Sequence, residues 1–216
     1  MRDLFPDSVL ADAERNEFAP GAVLMGGWAL PSEAALLAAL AHVTAAAPFR
    51  RMVTPGGFTM SVAMTNCGAA GWVTDRTGYR YTATDPETDR PWPPMPALFR
   101  TLAADAAAEA GYPSFAPDAC LINRYEPGTR LSLHQDRNER DFAQPVVSVS
   151  LGLPAVFQFG GPNRSDRPQR IPLRHGDVVV WGGPTRLNYH GVLELKEGEH
   201  PVLGRQRINF TLRRAL

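Results

Sequence analysis

Apolar positions along the chain follow two different periods. From Ser32 to Ala46, SEAALLAALAHVTAA sets Leu36, Leu37 and Leu40 on one helical face. Ser32 follows Pro31 and is a good N-cap, so a helix is predicted from there. ALFRTLAADAAAEA predicts a second helix, ended by Gly111 as the left-handed residue after its cap. Between them, TPGGFTMSVAMTNCG reads as a Gly-Gly turn and a strand, and GWVTDRTGYRYTATD as a hairpin. The prolines of RPWPPMP lack backbone donors and fix φ, which suits a stiff connector into the second helix. From about residue 118 the period becomes two. ACLINRY, TRLSLHQD, VVSVSLG, AVFQFG, RIPLR, DVVVWG and RQRINFTLRR are short strand candidates separated by Gly, Pro and Asp. Close turn signals between so many short strands favour a sandwich or barrel over a parallel βαβ sheet. The expected class is mainly β with flanking helices (α+β).

Strand parity then locates candidate chemistry. In LSLHQD, residues 131–136, Leu131 and Leu133 alternate with Ser132 and His134, so His134 and Asp136 share a strand face. An imidazole and a carboxylate with one further histidine make the facial triad of non-haem Fe(II) oxygenases. Histidines occur at 42, 134, 175, 190 and 200. His190, in RLNYHGV late in the β region, can complete a set with His134 and Asp136. A second pair of the same spacing, His175 and Asp177, encloses Gly176 and precedes a strand, which suits a turn capped by its own aspartate. Spacing favours the first pair only modestly. In RQRINFTLRR, Arg207, Asn209, Thr211 and Arg213 share one parity, and Ile208, Phe210 and Leu212 the other. Arginines on one face of a central strand are costly to bury without an anion, and a small dianion matches them. The same parity groups Leu121, Asn123 and Tyr125, whose polar groups add hydrogen bonds to that anion; the competing reading is an edge strand with solvated arginines.

Composition narrows the class. The chain has 216 residues, 44% hydrophobic and 20% charged, which suits one good-sized globular domain. Lys+Arg and Asp+Glu are 22 each, so a nucleic-acid partner must be held by local basic patches. Two cysteines, Cys67 and Cys120, and an opening MRDLFPDSVL without a long apolar run suggest reduced thiols in a cytoplasmic protein. AALLAALAHV is too short to span a bilayer, so no membrane partner is expected, and nothing demands more than a monomer.

NRYEPGTRLSLHQD, VSVSLG, HGDVVVWGG, NYHG and RINFTLR together closely resemble the AlkB family of Fe(II)/2-oxoglutarate dioxygenases, and TPGGFTMSVAMTNCG and DACLINRY its bacterial members. The likeness runs from about Phe49 to Arg213. It implies a double-stranded β-helix, or jelly-roll, core over 93–216. An N-terminal extension and nucleotide-recognition lid over 1–92 forms one compact unit with that core. It implies His134, Asp136 and His190 as iron ligands and Arg207 as partner of the distal 2-oxoglutarate carboxylate, with Tyr125 and Asn209 beside it. Asn123 and Arg213 then lie near the end that chelates iron, and His175 and Asp177 belong to a turn.

GWVTDRTGYRY interleaves Trp72, Tyr79 and Tyr81 with Arg76 and Arg80, a pattern able to stack on an extruded base and bind phosphate, although alone it also suits a hairpin packing on the core. The resemblance implies a base held between Trp72 and His134, with Tyr79 on the backbone and Arg164, in the basic stretch RSDRPQRIPLR, at a substrate-contact position. Asn138 stands where close bacterial relatives carry an aspartate, keeping an acceptor oxygen and losing the charge. Phe58 replaces a tyrosine. The implied activity is DNA repair by oxidative demethylation of 1-methyladenine and 3-methylcytosine, releasing formaldehyde, with Fe(II), 2-oxoglutarate and O2. The substrate is single-stranded DNA, with RNA and duplex DNA with a flipped base as the other forms. The alternatives are the same oxygenase chemistry on a non-nucleic-acid substrate, and a non-catalytic β-barrel binding module.

Overall fold

Two hairpin strands, β1 (Arg15–Ala19) and β2 (Ala22–Met25), open the part of the chain that the computed structural model describes, residues 15–216. The segment MRDLFPDSVL lies outside the described residues. Helix α1 (Glu33–Ala46) follows, then β3 (Ala63–Gly68). Two small hairpins come next, β4 (Gly71–Asp75) with β5 (Gly78–Thr82) and β6 (Thr84–Asp85) with β7 (Arg90–Pro91), before α2 (Ala97–Glu109). The second half holds β8 (Ala119–Tyr125), β9 (Leu131–His134), β10 (Val146–Gly152) and β11 (Ala155–Phe159). It ends with β12 (Gln169–Leu173), β13 (Val178–Trp181), β14 (His190–Val192) and β15 (Arg207–Arg213).

These strands form two antiparallel sheets, one ordered β1-β2-β13-β10-β15-β8-β3 and the other β12-β11-β14-β9. From β8 onward the chain passes back and forth between the sheets, the winding of a double-stranded β-helix, as expected from the resemblance. Pro172 sits in β12 at the outer edge of the smaller sheet, where a missing N–H breaks no ladder.

Period-two alternation sorts each central strand between two cores. On β15, Ile208, Phe210 and Leu212 turn outward to Phe99, Leu102 and Ala106 of α2 and to Leu36, Leu40 and Val43 of α1. Phe99 and Phe210 meet edge to face at 4.8 Å. The other parity of β8, β10 and β15 looks into the space between the sheets, towards Phe157, Phe159 and Trp181. Gly111, at φ +97°, ends α2: its N–H donates to Ala108 and that of Tyr112 to Ala107.

The structure departs from the pattern in four places. Ser32 occupies the N-cap of α1, but its side chain makes no capping bond. Strand β9 stops at His134, so Asp136 stands on the irregular segment beyond it and not on the strand face. Strand β14 has three residues, too short for a periodic signal. Strands β1, β2 and β3, all before residue 92, extend the larger sheet at both its flanks. Among the described residues, the strands outside these two sheets are β4 to β7.

Candidate active site

Antiparallel pairing sets His134 of β9 directly opposite His190 of β14. Gly191 permits this approach: a Cβ there would stand 2.7 Å from the carbonyl oxygen of Leu131 on β9. Asp136 completes a group whose ligand atoms all lie within 4.8 Å of one another. His134 Nε2 is 3.9 Å from Asp136 Oδ1, and His190 Nε2 is 3.7 Å from Asp136 Oδ2. Each histidine's Nδ1 points at the carbonyl oxygen two residues before it, Ser132 at 2.8 Å and Asn188 at 3.0 Å. A neutral ring there donates from Nδ1, which leaves the Nε2 lone pairs facing the carboxylate. Burial, and then His134, push the His190 imidazole down to about 4, so it is neutral at pH 7. Burial opposes ionisation of Asp136. Arg213, followed by the two histidines, outweighs it and holds the carboxyl well below the usual range. Two imidazole nitrogens and one carboxylate on one side of a point suit Fe(II) and leave its far side open.

The inner face of the larger sheet supplies an anion site in the same cavity, which measures about 910 Å³. Register places Tyr125 opposite Arg207 and Asn123 opposite Asn209, with Ser150 across from Asn209 on the other side. Arg207 is 1% exposed. Its Nη2 donates to Ser150 Oγ at 2.9 Å and its guanidinium lies over the Tyr125 ring at 4.9 Å. Its Nε and Nη1 have no partner. A buried cation with unpaired N–H groups is strongly unfavourable. A carboxylate seated beside the guanidinium would supply it with a charge-assisted acceptor. Burial pushes the Tyr125 phenol up to about 12, so it remains a hydroxyl donor beside that position. Asn209 is fully engaged, donating to Ser148 Oγ and the Val149 carbonyl and accepting from Asn123 and Thr211. It orders the row, while the Asn123 side-chain oxygen remains unpartnered. The geometry fits a small dicarboxylate whose far end meets Arg207. Arg213 also borders the cavity, but its own partner is Asp136, with Nε at 2.8 Å and Nη2 at 2.7 Å from Oδ2.

The β4–β5 hairpin divides its residues by face. Trp72 pairs with Tyr81 and Thr74 with Tyr79, so these four share one side. Trp72 and Tyr79 stack at 5.7 Å with planes 20° apart, and both border the cavity. Trp72 Nε1 donates to Asn138 Oδ1 at 3.2 Å. Arg80 has the opposite parity: it pairs with Val73, turns away from the cavity and binds Asp75 across the hairpin at 2.7 Å. Tyr81 reaches inward past the cavity wall and donates to Glu139 Oε1 at 2.7 Å. Arg164 is exposed at the rim, 6.0 Å from the Tyr189 ring centre. Phe58, also on the rim, is 76% exposed. His175 and Asp177 form the expected turn: Asp177 accepts the N–H groups of Arg174 and Gly27, and His175 Nδ1 accepts that of Gly152.

Four buried polar residues at the site escaped the pattern. Ser148 and Ser150 share one parity inside the apolar strand VVSVSLG, which was a readable sign. Glu139 and Arg186 stand on segments with no period, and nothing in the sequence marks them as buried.

Residues 21–213 match the model of the 2OG-Fe(II) oxygenase superfamily. The chain is 57% identical over 215 residues to the alpha-ketoglutarate-dependent dioxygenase AlkB of Salmonella typhimurium, covering 100% of this chain and 98% of that protein. It is 32% identical over 131 residues to the human nucleic acid dioxygenase ALKBH1, covering 59% of this chain and 33% of that protein. Among solved structures, OsALKBH1 superposes with a TM-score of 0.83 at 27% identity, covering 93% of this chain and 100% of that one.

Proposed function

The chain belongs to the AlkB family within the 2OG-Fe(II) oxygenase superfamily, and on that premise we propose that it repairs nucleic acid by oxidative removal of N-alkyl groups from bases. It is an Fe(II)- and 2-oxoglutarate-dependent dioxygenase. The observation that carries the reading is Arg207, a buried guanidinium with two unpaired nitrogens, bordering the same cavity as His134, Asp136 and His190. A barrel that binds no small acid gives no reason to bury that charge unpaired, and a module that only binds one gives no reason to set it beside a His-Asp-His group.

His134, Asp136 and His190 would hold the iron, and Arg207, Tyr125 and Asn123 the 2-oxoglutarate. When bound, iron with 2-oxoglutarate and O2 supplies the oxidising chemistry: the co-substrate leaves as succinate and carbon dioxide, and the hydroxylated methyl carbon as formaldehyde. The chain's own residues position and shield. The Nδ1–H groups of His134 and His190 stay on backbone carbonyls, which fixes the ring planes. His134, the more exposed of the two, has a free flank for a base, and Trp72 with Tyr79 supplies an aromatic wall. The β4–β5 hairpin thus acts as a lid within the N-terminal extension over 1–92. Asn138 is poised over the base edge with its oxygen engaged by Trp72, which leaves its amide N–H groups to the base. Arg164 lies where a phosphate would pass.

The favoured substrates are 1-methyladenine and 3-methylcytosine in single-stranded DNA. These lesions block the pairing edge, so extrusion into a cavity is cheap. The protein acts as a cytoplasmic monomer on this reading. The deciding experiment is mass spectrometry of a single-stranded oligonucleotide bearing 1-methyladenine, incubated aerobically with protein and Fe(II), with and without 2-oxoglutarate. The methyl group is expected to disappear only with 2-oxoglutarate present. Succinate without repair would move the substrate elsewhere, and neither product from folded, iron-loaded protein would sink the enzyme.

A further inference from the structure

A cluster of buried charge stands behind Asp136, on the side away from the histidines. Arg213 binds Asp136 and approaches Glu139 Oε1 at 3.4 Å. Glu139 Oε2 lies 3.2 Å from Arg186 Nη2, with both side chains 2% exposed. Arg186 reaches three points of one irregular segment: Nη1 donates to the Asp136 carbonyl at 2.8 Å, Nε to the Gln144 carbonyl at 2.9 Å, and Nη2 faces Glu139. Residues 135–144 contain no strand or helix, so no ladder fixes the backbone that carries Asp136. Arg186 itself follows the 3-10 turn Gly183–Thr185, four residues before His190. One guanidinium therefore ties the segment bearing one metal ligand to the segment bearing another. Glu139 extends the tie to the lid, because its Oε1 also accepts the Tyr81 hydroxyl.

We infer that Arg186 and Glu139 are positioning residues: they hold Asp136 in place for the metal and tether the lid to the metal centre through Tyr81. Burying two arginines beside two carboxylates is a poor way to gain stability, since desolvation offsets the attraction. What such a cluster supplies is a fixed arrangement. Partners of this kind behind a ligand change metal affinity by about 10- to 100-fold when removed. The tether makes a further claim. Tyr81 meets the cluster through Glu139 and through Arg213, whose Nη1 approaches its hydroxyl at 3.4 Å, but it touches no metal ligand, and Asp136 keeps both of its own bonds from Arg213 without it, so the hydroxyl acts on the lid more than on the ligands.

The inference rests on the metal-centre reading above, and the test separates the two. Free Mn(II) is counted by electron paramagnetic resonance during titration of the full chain, and affinity for an unmodified single-stranded oligonucleotide is measured by fluorescence anisotropy. Arg186→Lys retains the charge without the fork. With Arg186→Met it is expected to weaken Mn(II) binding about 10- to 100-fold, circular dichroism being unchanged. Glu139→Gln, which keeps an oxygen for Tyr81, serves if the arginine variants fail to fold, and is expected to weaken Mn(II) in the same direction. Tyr81→Phe is expected to leave Mn(II) affinity within about twofold and to loosen the oligonucleotide several-fold. Folded Arg186 or Glu139 variants with wild-type Mn(II) affinity would overturn the positioning role, and a Tyr81→Phe variant with wild-type oligonucleotide affinity would overturn the tether. Wild-type protein that takes up no Mn(II) would instead bring down the metal centre, and this inference with it.

Discussion

Arg207 concentrates the energetics of the site in one side chain. Its two unpaired nitrogens make the empty pocket unfavourable and the filled one favourable. Arg207→Lys keeps a charge and loses the planar fork, so the KM for 2-oxoglutarate should rise about tenfold or more while oligonucleotide affinity stays the same. Succinate formation across a 2-oxoglutarate series reads this directly. Asn138 makes a complementary case. Asn138→Asp restores a carboxylate beside a cationic base, and charge-assisted bonds are about twice as strong as neutral ones. The kcat/KM ratio of 1-methyladenine over an uncharged alkylated base should increase several-fold in competition assays. His190 carries a pH consequence in metal-free protein. Its folded pKa, about 4, lies below its ordinary 6.5, so the unfolded chain binds the proton first. Stability is then complete above pH 6.5 and declines as pH falls towards 4. Urea titrations in chelator at pH 7 and pH 5 should differ, and a His190→Asn variant should lose that part of the difference. At this scale the sequence was legible wherever parity acts: His134, Asn123, Tyr125, Arg207 and Asn209 all lie on the faces their spacing assigns. Arg186 and Glu139 were not legible, because burial of a charge on an irregular segment depends on partners that are distant in sequence.

Elements translate parity into roles, and the β4–β5 hairpin is the clearest instance. Composition offered its aromatics and arginines together as a nucleic-acid surface. Pairing separates them: Trp72 and Tyr79 face the cavity, and Arg80 faces Asp75. Trp72→Ala should cost about 1–3 kcal/mol of oligonucleotide binding, the usual worth of a base–aromatic stack. Arg80→Ala should change it by less than twofold, since an exposed ion pair is worth little. Fluorescence anisotropy with one labelled strand compares them. The hairpin itself was foreseeable from its turn, but which parity faces inward is fixed by docking against 136–139 and not by anything within the hairpin. Strand β14 makes the same point: three residues carry no period, and it exists because β9 and β11 flank it.

For the molecule as a whole, the change of period near residue 118 does not divide the sheets. Both predicted helices lie before it and most of the strand candidates after it, yet β2 covers the flank of β13 and β3 that of β8. A fragment of 93–216 would expose both flanks along with the apolar faces that α1 covers. It should be insoluble or molten on expression, whereas the full chain unfolds in one transition; analytical gel filtration and near-ultraviolet dichroism tell them apart. Zero net charge belongs to this scale as well. With binding confined to a few local cations, affinity for single strands should be modest and fall with salt along a shallow slope.

Strand β15 has a consequence for how the gene can change. Seven consecutive residues serve two masters by turns, Ile208, Phe210 and Leu212 for the helices and Arg207, Asn209, Thr211 and Arg213 for the cavity. A codon inserted or lost within it would exchange the two sets from that point on, driving guanidinium into hydrocarbon and hydrocarbon into the cofactor site. Substitutions can be tried here one at a time, but length cannot. In any lineage that keeps the activity, the interval from Arg207 to Arg213 should never vary by a single residue, however freely the loops before it grow or shrink.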